Sequence, residues 1–154
     1  MQLKFVWIGK LRKRFWLDAA AHYAGRLKHR YRLEEICLKD GSASLRPESR
    51  AGQEGADILK RISRPDMVIS LDRKGRLFTS RQLSSALSGW VETPGRTPCF
   101  VIGGAYGLSR DVVSRSDLTL SLGPMTLPHE LARVVLLEQL YRADAILRNL
   151  PYHH

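Results

Sequence analysis

The sequence has little of what would announce a metal, a disulfide framework or a covalent catalyst. Among 154 residues there are two cysteines, Cys37 and Cys99, and five histidines, His22, His29, His129, His153 and His154. No CxxC, HExxH or other ligand spacing joins them, so zinc chemistry is excluded and no metal is expected. Both cysteines sit in β-like apolar runs and read as buried free thiols of a reducing compartment. No G-x-S-x-G and no Cys/His arrangement supports a covalent mechanism. No apolar run approaches the ~20 residues of a membrane span, and MQLKFVWIGK is too short and too early for a signal peptide. The expected location is therefore cytoplasmic, with no membrane partner. Repeats, low-complexity tracts and linkers are absent too, and the length predicts one domain over residues 1–154.

Acidic residues are also scarce: fifteen against twenty-five Lys and Arg, for a net charge of +10. The excess is concentrated. Residues 1 to 39 carry ten basic side chains and three acidic ones, a net +7, and the remaining 115 carry a net +3. Such a footprint is expected of a protein that binds nucleic acid, with a solvated basic face as the plainer explanation.

What is present is an alternation of short apolar runs with amphipathic ones. LKFVWIG, RLEEICLK, MVISLD, PCFVIGG and DLTLSLG read as strands. Helices are predicted over FWLDAAAHYAGRLKHR, PESRAGQEGADILKRI, SRQLSSALSGWVE (Ser80 as N-cap), SRDVVSRS and from about Pro128 to Leu150, with RKGR after the third strand as a turn. Strands separated by helices imply a mostly parallel α/β sheet with helices on both faces. Ligands of such folds bind at the carboxyl ends of strands. Here those ends are Leu71-Asp72, Gly103-Gly104 and Leu122-Gly123.

The final helix, HELARVVLLEQLYRADAILR, is apolar almost all round, whereas a helix covering one sheet needs a single stripe. Leu131, Val135 and Ile146 share one side, and Leu136, Leu140 and Leu147 lie nearly opposite. The pattern predicts a homodimer through this helix, the alternative being burial within one subunit. Glu138 and Arg142, at i and i+4, make either a structural bridge or a site in which Arg142 grips phosphate or a base. In VIGGAYGLS the glycines allow close backbone approach. Their spacing is neither the dinucleotide fingerprint nor a Walker loop, which disfavours a nucleotide-cofactor oxidoreductase.

V-I-G-G-x-x-G-L-S, then S-L-x-x-x-T-L-P-H-x-L-x-R-V-x-L-x-E-Q-L-Y-R-A, then a closing P-Y-H, resembles the RlmH family, small SPOUT-class RNA methyltransferases. The resemblance runs the whole chain and includes the opening K-F-V-W-I-G-K and the central I-S-L-D. It implies an α/β sheet whose C-terminal segment forms a trefoil knot, a homodimer, S-adenosylmethionine as cofactor, and methylation of N3 of a pseudouridine in 23S rRNA. Carried onto this chain, the cofactor would be held by Leu71, by Gly103 and Gly104, and by the apolar loop Leu122, Gly123, Pro124, Met125, Thr126 and Leu127. That loop would offer backbone hydrogen bonds under apolar cover. His129, Arg142, Tyr152 and His153 would form the substrate end. Arg142 would hold phosphate or a base oxygen, Tyr152 would stack or hydrogen-bond, and either His129 or His153 would take the N3 proton. His129 has a duller alternative as a hydrogen-bonding residue at a helix start. Arg12, Lys13, Arg14 and Arg26 would meet rRNA phosphates. Two departures from the family pattern stand out: Ala105 where a proline is frequent, and His154 where a basic residue is common. The competing reading is a ribosome-binding factor that kept the fold and lost the chemistry.

Overall fold

The structure, a computed structural model, describes residues 1–152; His153, expected at the substrate end, and His154 lie outside the described residues. Strand and helix alternate strictly: β1 (Gln2–Ile8), α1 (Arg14–Leu27), β2 (Arg32–Leu38), α2 (Pro47–Leu59), β3 (Asp66–Leu77), α3 (Ser80–Glu92), β4 (Thr97–Ile102), α4 (Arg110–Arg115), β5 (Leu118–Ser121) and α5 (His129–Leu147). The strands form one parallel sheet in the order β2-β1-β4-β3-β5.

The two central strands are apolar at nearly every position because helices cover both faces. Phe5, Trp7, Phe100 and Ile102 point toward α1, α3 and α5, where Phe5 stacks on Trp7 at 5.0 Å and on Phe100 at 5.6 Å. Val6, Ile8, Cys99 and Val101 point the other way, toward Ile58 of α2 and Val112 of α4. No helix among the described residues is long and apolar enough to cross a membrane.

Three local expectations need correction. RKGR is not a turn that ends a strand. β3 pairs with β5 as far as Leu71 opposite Leu120 and resumes at Arg76, again opposite Leu120, so residues 72–75 loop out of a longer strand. The Asp72 carboxylate accepts the Lys74 N–H at 2.8 Å and shapes the excursion. Gly75 then presses on β5 so closely that a Cβ would lie 2.7 Å from the Thr119 carbonyl. The N-cap of α3 is Thr79 rather than Ser80, in a reciprocal capping box with Gln82. Of the two thiols, Cys99 is buried, and its pKa is pushed up to about 12 by burial and then by Asp66, but Cys37 is exposed on the edge strand.

Helix α5 packs against both α1 and α3 above the sheet. Leu136, Leu137 and Leu140 are sealed inside, and Asp144 accepts the Tyr31 hydroxyl at 2.8 Å and pairs with Arg148 at 2.7 Å. This three-sided packing accounts for much of its all-round apolar pattern. Leu131, Val135 and Ile146 remain half-buried along the outer side.

At the amino ends of the strands, away from the glycine and apolar loops, Lys4 reaches Asp66 at 2.7 Å, with both groups buried. Lys4 also donates to the Arg61 carbonyl, and Ser63 donates twice to the same Asp66 oxygen, so neither buried charge is left without a partner. Removing one partner strands a buried charge, so Lys4→Met is expected to cost about 3–5 kcal/mol. Thermal unfolding should show a Tm lower by on the order of 10 °C.

Candidate active site

β4, β3 and β5 are neighbours in the sheet, so their carboxyl ends are neighbours too. Ser70 is opposite Val101, and Leu71 is opposite Leu120. Leu71, where the excursion at 72–75 leaves β3, the Gly103-Gly104 turn after β4 and the loop from Leu122 to Leu127 after β5 therefore lie on one side of the sheet, with β3 between the other two and running on to Leu77, past the end expected at Leu71-Asp72. They come from segments 71, 103 and 122, which only the crossing order of the strands brings side by side.

Each loop is held from within. Gly107 donates its N–H to the Gly104 carbonyl at 3.1 Å and takes φ +77°. A Cβ on Gly103 would lie 2.6 Å from the Gly107 carbonyl oxygen, and one on Gly104 would lie 2.7 Å from a Glu54 carboxylate oxygen. Close approach is thus required at both glycines, but the group being approached is the protein itself. Glu54 lies on α2 and is 2 % exposed. Its Oε1 accepts from the Gly41 N–H at 2.8 Å and from Arg50 at 3.2 Å, whereas its Oε2 has no partner among the described residues. In the third loop, Gly123 has φ +144°, and its N–H donates to the Ser121 hydroxyl, which in turn donates to the Arg73 carbonyl. Met125 is 78 % exposed. The backbone N–H groups of Met125, Thr126 and Leu127 find no acceptor among the described residues. A hollow of about 170 Å³ opens beside this loop between Phe78, Leu120, Leu122 and Val135.

His129 is the first residue of α5, directly after the loop. It is not the N-cap: Pro128 occupies that position, with no side-chain cap. A capping role for His129 is thereby removed.

Arg142 and Tyr152 are brought together, but not with His129. The Arg142 guanidinium bonds Glu138 at 2.7 and 2.9 Å and lies 5.1 Å from the Tyr152 ring centroid. The Tyr152 hydroxyl donates to the same Glu138 oxygen at 3.2 Å, and its ring meets Tyr141 edge-on at 4.5 Å. Burial first, then the neighbouring Tyr23 and Glu138, raise the Tyr152 phenol pKa, so it stays protonated. Thirteen residues at 1.5 Å rise put His129 and Arg142 about 20 Å apart along α5. Within one chain the expected substrate end is therefore split between the two ends of a helix.

The basic residues differ in availability. The Arg12 side chain is 79 % exposed, 3.8 Å from Asp40, and its backbone N–H donates to Glu130 in the first turn of α5. Lys13 precedes α1 and is exposed, and Arg14 pairs with Asp18 on the surface. Arg26 is engaged: it donates to the Tyr141 hydroxyl at 3.0 Å and lies over that ring. Two site-adjacent residues escaped the sequence reading. The only local signal at Glu54 is its i,i+4 spacing from Arg50, which is common on solvated helix faces. Arg133, 3 % exposed, donates to the carbonyls of Ile8 and Gly9 at the end of β1. Its one clue was a charge on the helical stripe that it shares with Leu137 and Leu140.

Comparison with known proteins gives a consistent picture. A family model described as predicted SPOUT methyltransferase matches residues 1–153. The protein named ribosomal RNA large subunit methyltransferase H of Nitratidesulfovibrio vulgaris (strain Hildenborough) is 51% identical over 152 residues, 99% of this chain and 97% of its own. Its namesake from Maridesulfovibrio salexigens is 51% identical over 153 residues, 99% of this chain and 98% of its own. The structure of a probable methylase family protein from Haemophilus influenzae superposes with a TM-score of 0.56 at 15% identity, covering 99% of this chain and 70% of that one. At that identity the likeness concerns the fold.

Proposed function

The chain belongs to the SPOUT methyltransferase family, and on that premise we propose that it methylates large-subunit ribosomal RNA with S-adenosylmethionine, at N3 of a pseudouridine. The observation that carries the reading is the placing of three loops on one side of the sheet, the excursion within β3 and the loops after β4 and β5, the last of them apolar with N–H groups that have no acceptor among the described residues. The 51%-identical relatives bearing a large-subunit rRNA methyltransferase name support the substrate, as does the basic first third of the chain. Residues 1–154 act as one domain.

The loops suit this cofactor. Adenine needs apolar cover and a few backbone donors and acceptors, which the segment from Leu122 to Leu127 offers. A cofactor carrying a sulfonium and an ammonium suits the unpartnered, buried Glu54 oxygen beside Gly104. When bound, the sulfonium supplies an already activated methyl group. The chain must then orient N3 in line, keep water out and accept the N3 proton. Either His129, at the end of the cofactor loop, or His153 takes that proton.

The split substrate end points to a homodimer. Leu131, Val135 and Ile146 form a half-buried apolar line on the outer side of α5. A twofold pairing along that line that sets the two helices antiparallel brings the partner's Arg142 and Tyr152 to this chain's His129 and cofactor loops. There Arg142, oriented by Glu138, holds a phosphate or base oxygen, and Tyr152 packs against the nucleotide. The C-terminal knot belongs to the same proposal, with the excursion at residues 72–75 pressed onto β5 as its tight crossing.

Two measurements test the reading together. Calorimetry should show heat on adding S-adenosylmethionine, and labelled methyl should pass to large subunits that lack the modification, mapping to one pseudouridine. Ribosome binding with neither heat nor transfer would favour the non-catalytic ribosome factor.

A further inference from the structure

One cavity is not accounted for by the methyl-transfer site. It measures about 270 Å³ and lies at the carboxyl ends of β1 and β2, on the face covered by α1 and α5. Trp7, Leu11 and Leu17 supply apolar walls, and Lys10, Glu35 and Arg133 supply polar ones. Its volume falls just below the roughly 300–1,000 Å³ of pockets for drug-sized ligands, a size for one ring system rather than a whole cofactor.

The polar groups are built in. Arg133 is 3 % exposed, and its Nε–H has no acceptor among the described residues. Its guanidinium lies 5.4 Å from the Trp7 ring centroid, which fixes its plane. Glu35 takes the Trp7 indole N–H at 3.4 Å and keeps further lone pairs for a ligand. One wall thus offers a donor and another an acceptor, the complement of a nucleobase edge.

The surroundings favour a nucleic acid over other occupants. Next to the cavity the chain runs Lys10, Leu11, Arg12, Lys13, Arg14, Phe15, with Phe15 60 % and Leu17 45 % exposed. Exposed aromatic and apolar groups interleaved with cations are what a single-stranded RNA segment uses for stacking and phosphate contact. A second copy of this chain would bring its own net +7 segment to the same place and be repelled. The segment is also tied to the methyl-transfer site, because the Arg12 N–H donates to Glu130, one residue after His129.

We propose that this cavity seats an unpaired nucleobase of the RNA substrate flanking the modified nucleotide, with Trp7, Leu11 and Leu17 against its ring, Arg133 and Glu35 at its edge, and Lys10, Arg12 and Lys13 on its phosphates. The proposal rests on the reading of the chain as an RNA methyltransferase and adds a second recognition point to it.

Leu17→Trp fills the cavity from an exposed position. It is expected to raise KM for the RNA about tenfold, the order of one lost stacked base, with kcat within about twofold and heat on adding S-adenosylmethionine unchanged. Lys10→Glu, on the rim, should move KM in the same direction and serves if Leu17→Trp unfolds. Photo-crosslinking of the wild-type protein to 4-thiouridine-substituted substrate RNA should attach within residues 7–17. An unchanged KM in a folded Leu17→Trp protein, an altered oligomeric mass with KM unchanged, or crosslinks confined to residues 122–152 would each overturn the proposal. If the wild-type protein transfers no methyl to any large-subunit RNA, the function reading fails, while the crosslink position still decides on the cavity.

Discussion

Arg142→Ala is expected to lower methyl transfer by about 10²–10³, the cost of losing one positioned charge at a reacting group, with the affinity for S-adenosylmethionine within about twofold. Arg142 is part of a preassembled unit: Glu138 grips it at 2.7 Å, and the Tyr152 ring lies over it. Such a guanidinium is oriented before substrate arrives, so little ordering is lost on binding. Arg142 is held by Glu138 and Tyr152 rather than by any residue of the cofactor loops, so its removal leaves the fold of those loops intact. The split between transfer and cofactor binding is the signature; single-turnover rates and calorimetry on the same preparation measure it. Equal loss of both would mean that Arg142 only holds the fold.

Gly103→Val should give the opposite signature: no detectable heat with S-adenosylmethionine, and methyl transfer lost with it. A Cβ at residue 103 would meet the Gly107 carbonyl oxygen at 2.6 Å and its carbon at 2.7 Å. Both contacts are backbone, so no side chain can turn aside. The turn from Gly103 to Gly107 must open, carrying Gly104 away from its place beside Glu54. The lesion is confined to a loop at the sheet edge, so cooperative unfolding should survive with a Tm lower by several degrees, whereas Lys4→Met weakens the whole sheet. Retained cofactor binding in Gly103→Val would take this turn out of the site.

The sequence carried the alternation of strands and helices because each run has its own period: β1 and β4 are apolar at nearly every position, and α1 and α3 have one wet side. The ends of β4 and β5 fall where the glycines and the apolar loop mark them, whereas β3 runs on to Leu77, past the end expected at Leu71-Asp72. Several features did not show in this way. The excursion at residues 72–75 looked like a turn because Arg, Lys and Gly are turn-like, and only pairing with β5 shows that the strand resumes. Thr79 and Ser80 are both good caps, and the backbone chooses Thr79. Cys37 looked buried because β2 is apolar in composition, but β2 is an edge strand that α1 does not fully cover. Arg133 is fixed by carbonyls about 125 positions away in sequence, beyond any local pattern, and the i,i+4 pair of Glu54 with Arg50 reads as an ordinary surface bridge until the approach of Gly104 shows where it lies. His129 and Arg142 were grouped by chemistry, and only the length of α5 shows that one chain cannot bring them together.

That separation makes the central claim, a methyl-transfer site shared by two subunits, directly measurable. Gly103→Val and Arg142→Ala chains, each inactive as a homodimer, can be co-expressed with different affinity tags and the mixed dimer isolated. In a shared site the Arg142→Ala chain still offers intact cofactor loops, and the Gly103→Val chain still offers an intact Arg142. One of the two sites is then whole, and the mixed dimer should recover about half of the wild-type rate. If Arg142 served its own chain's cofactor, both sites would remain broken, and a mixed dimer as inactive as its parents would contradict the account.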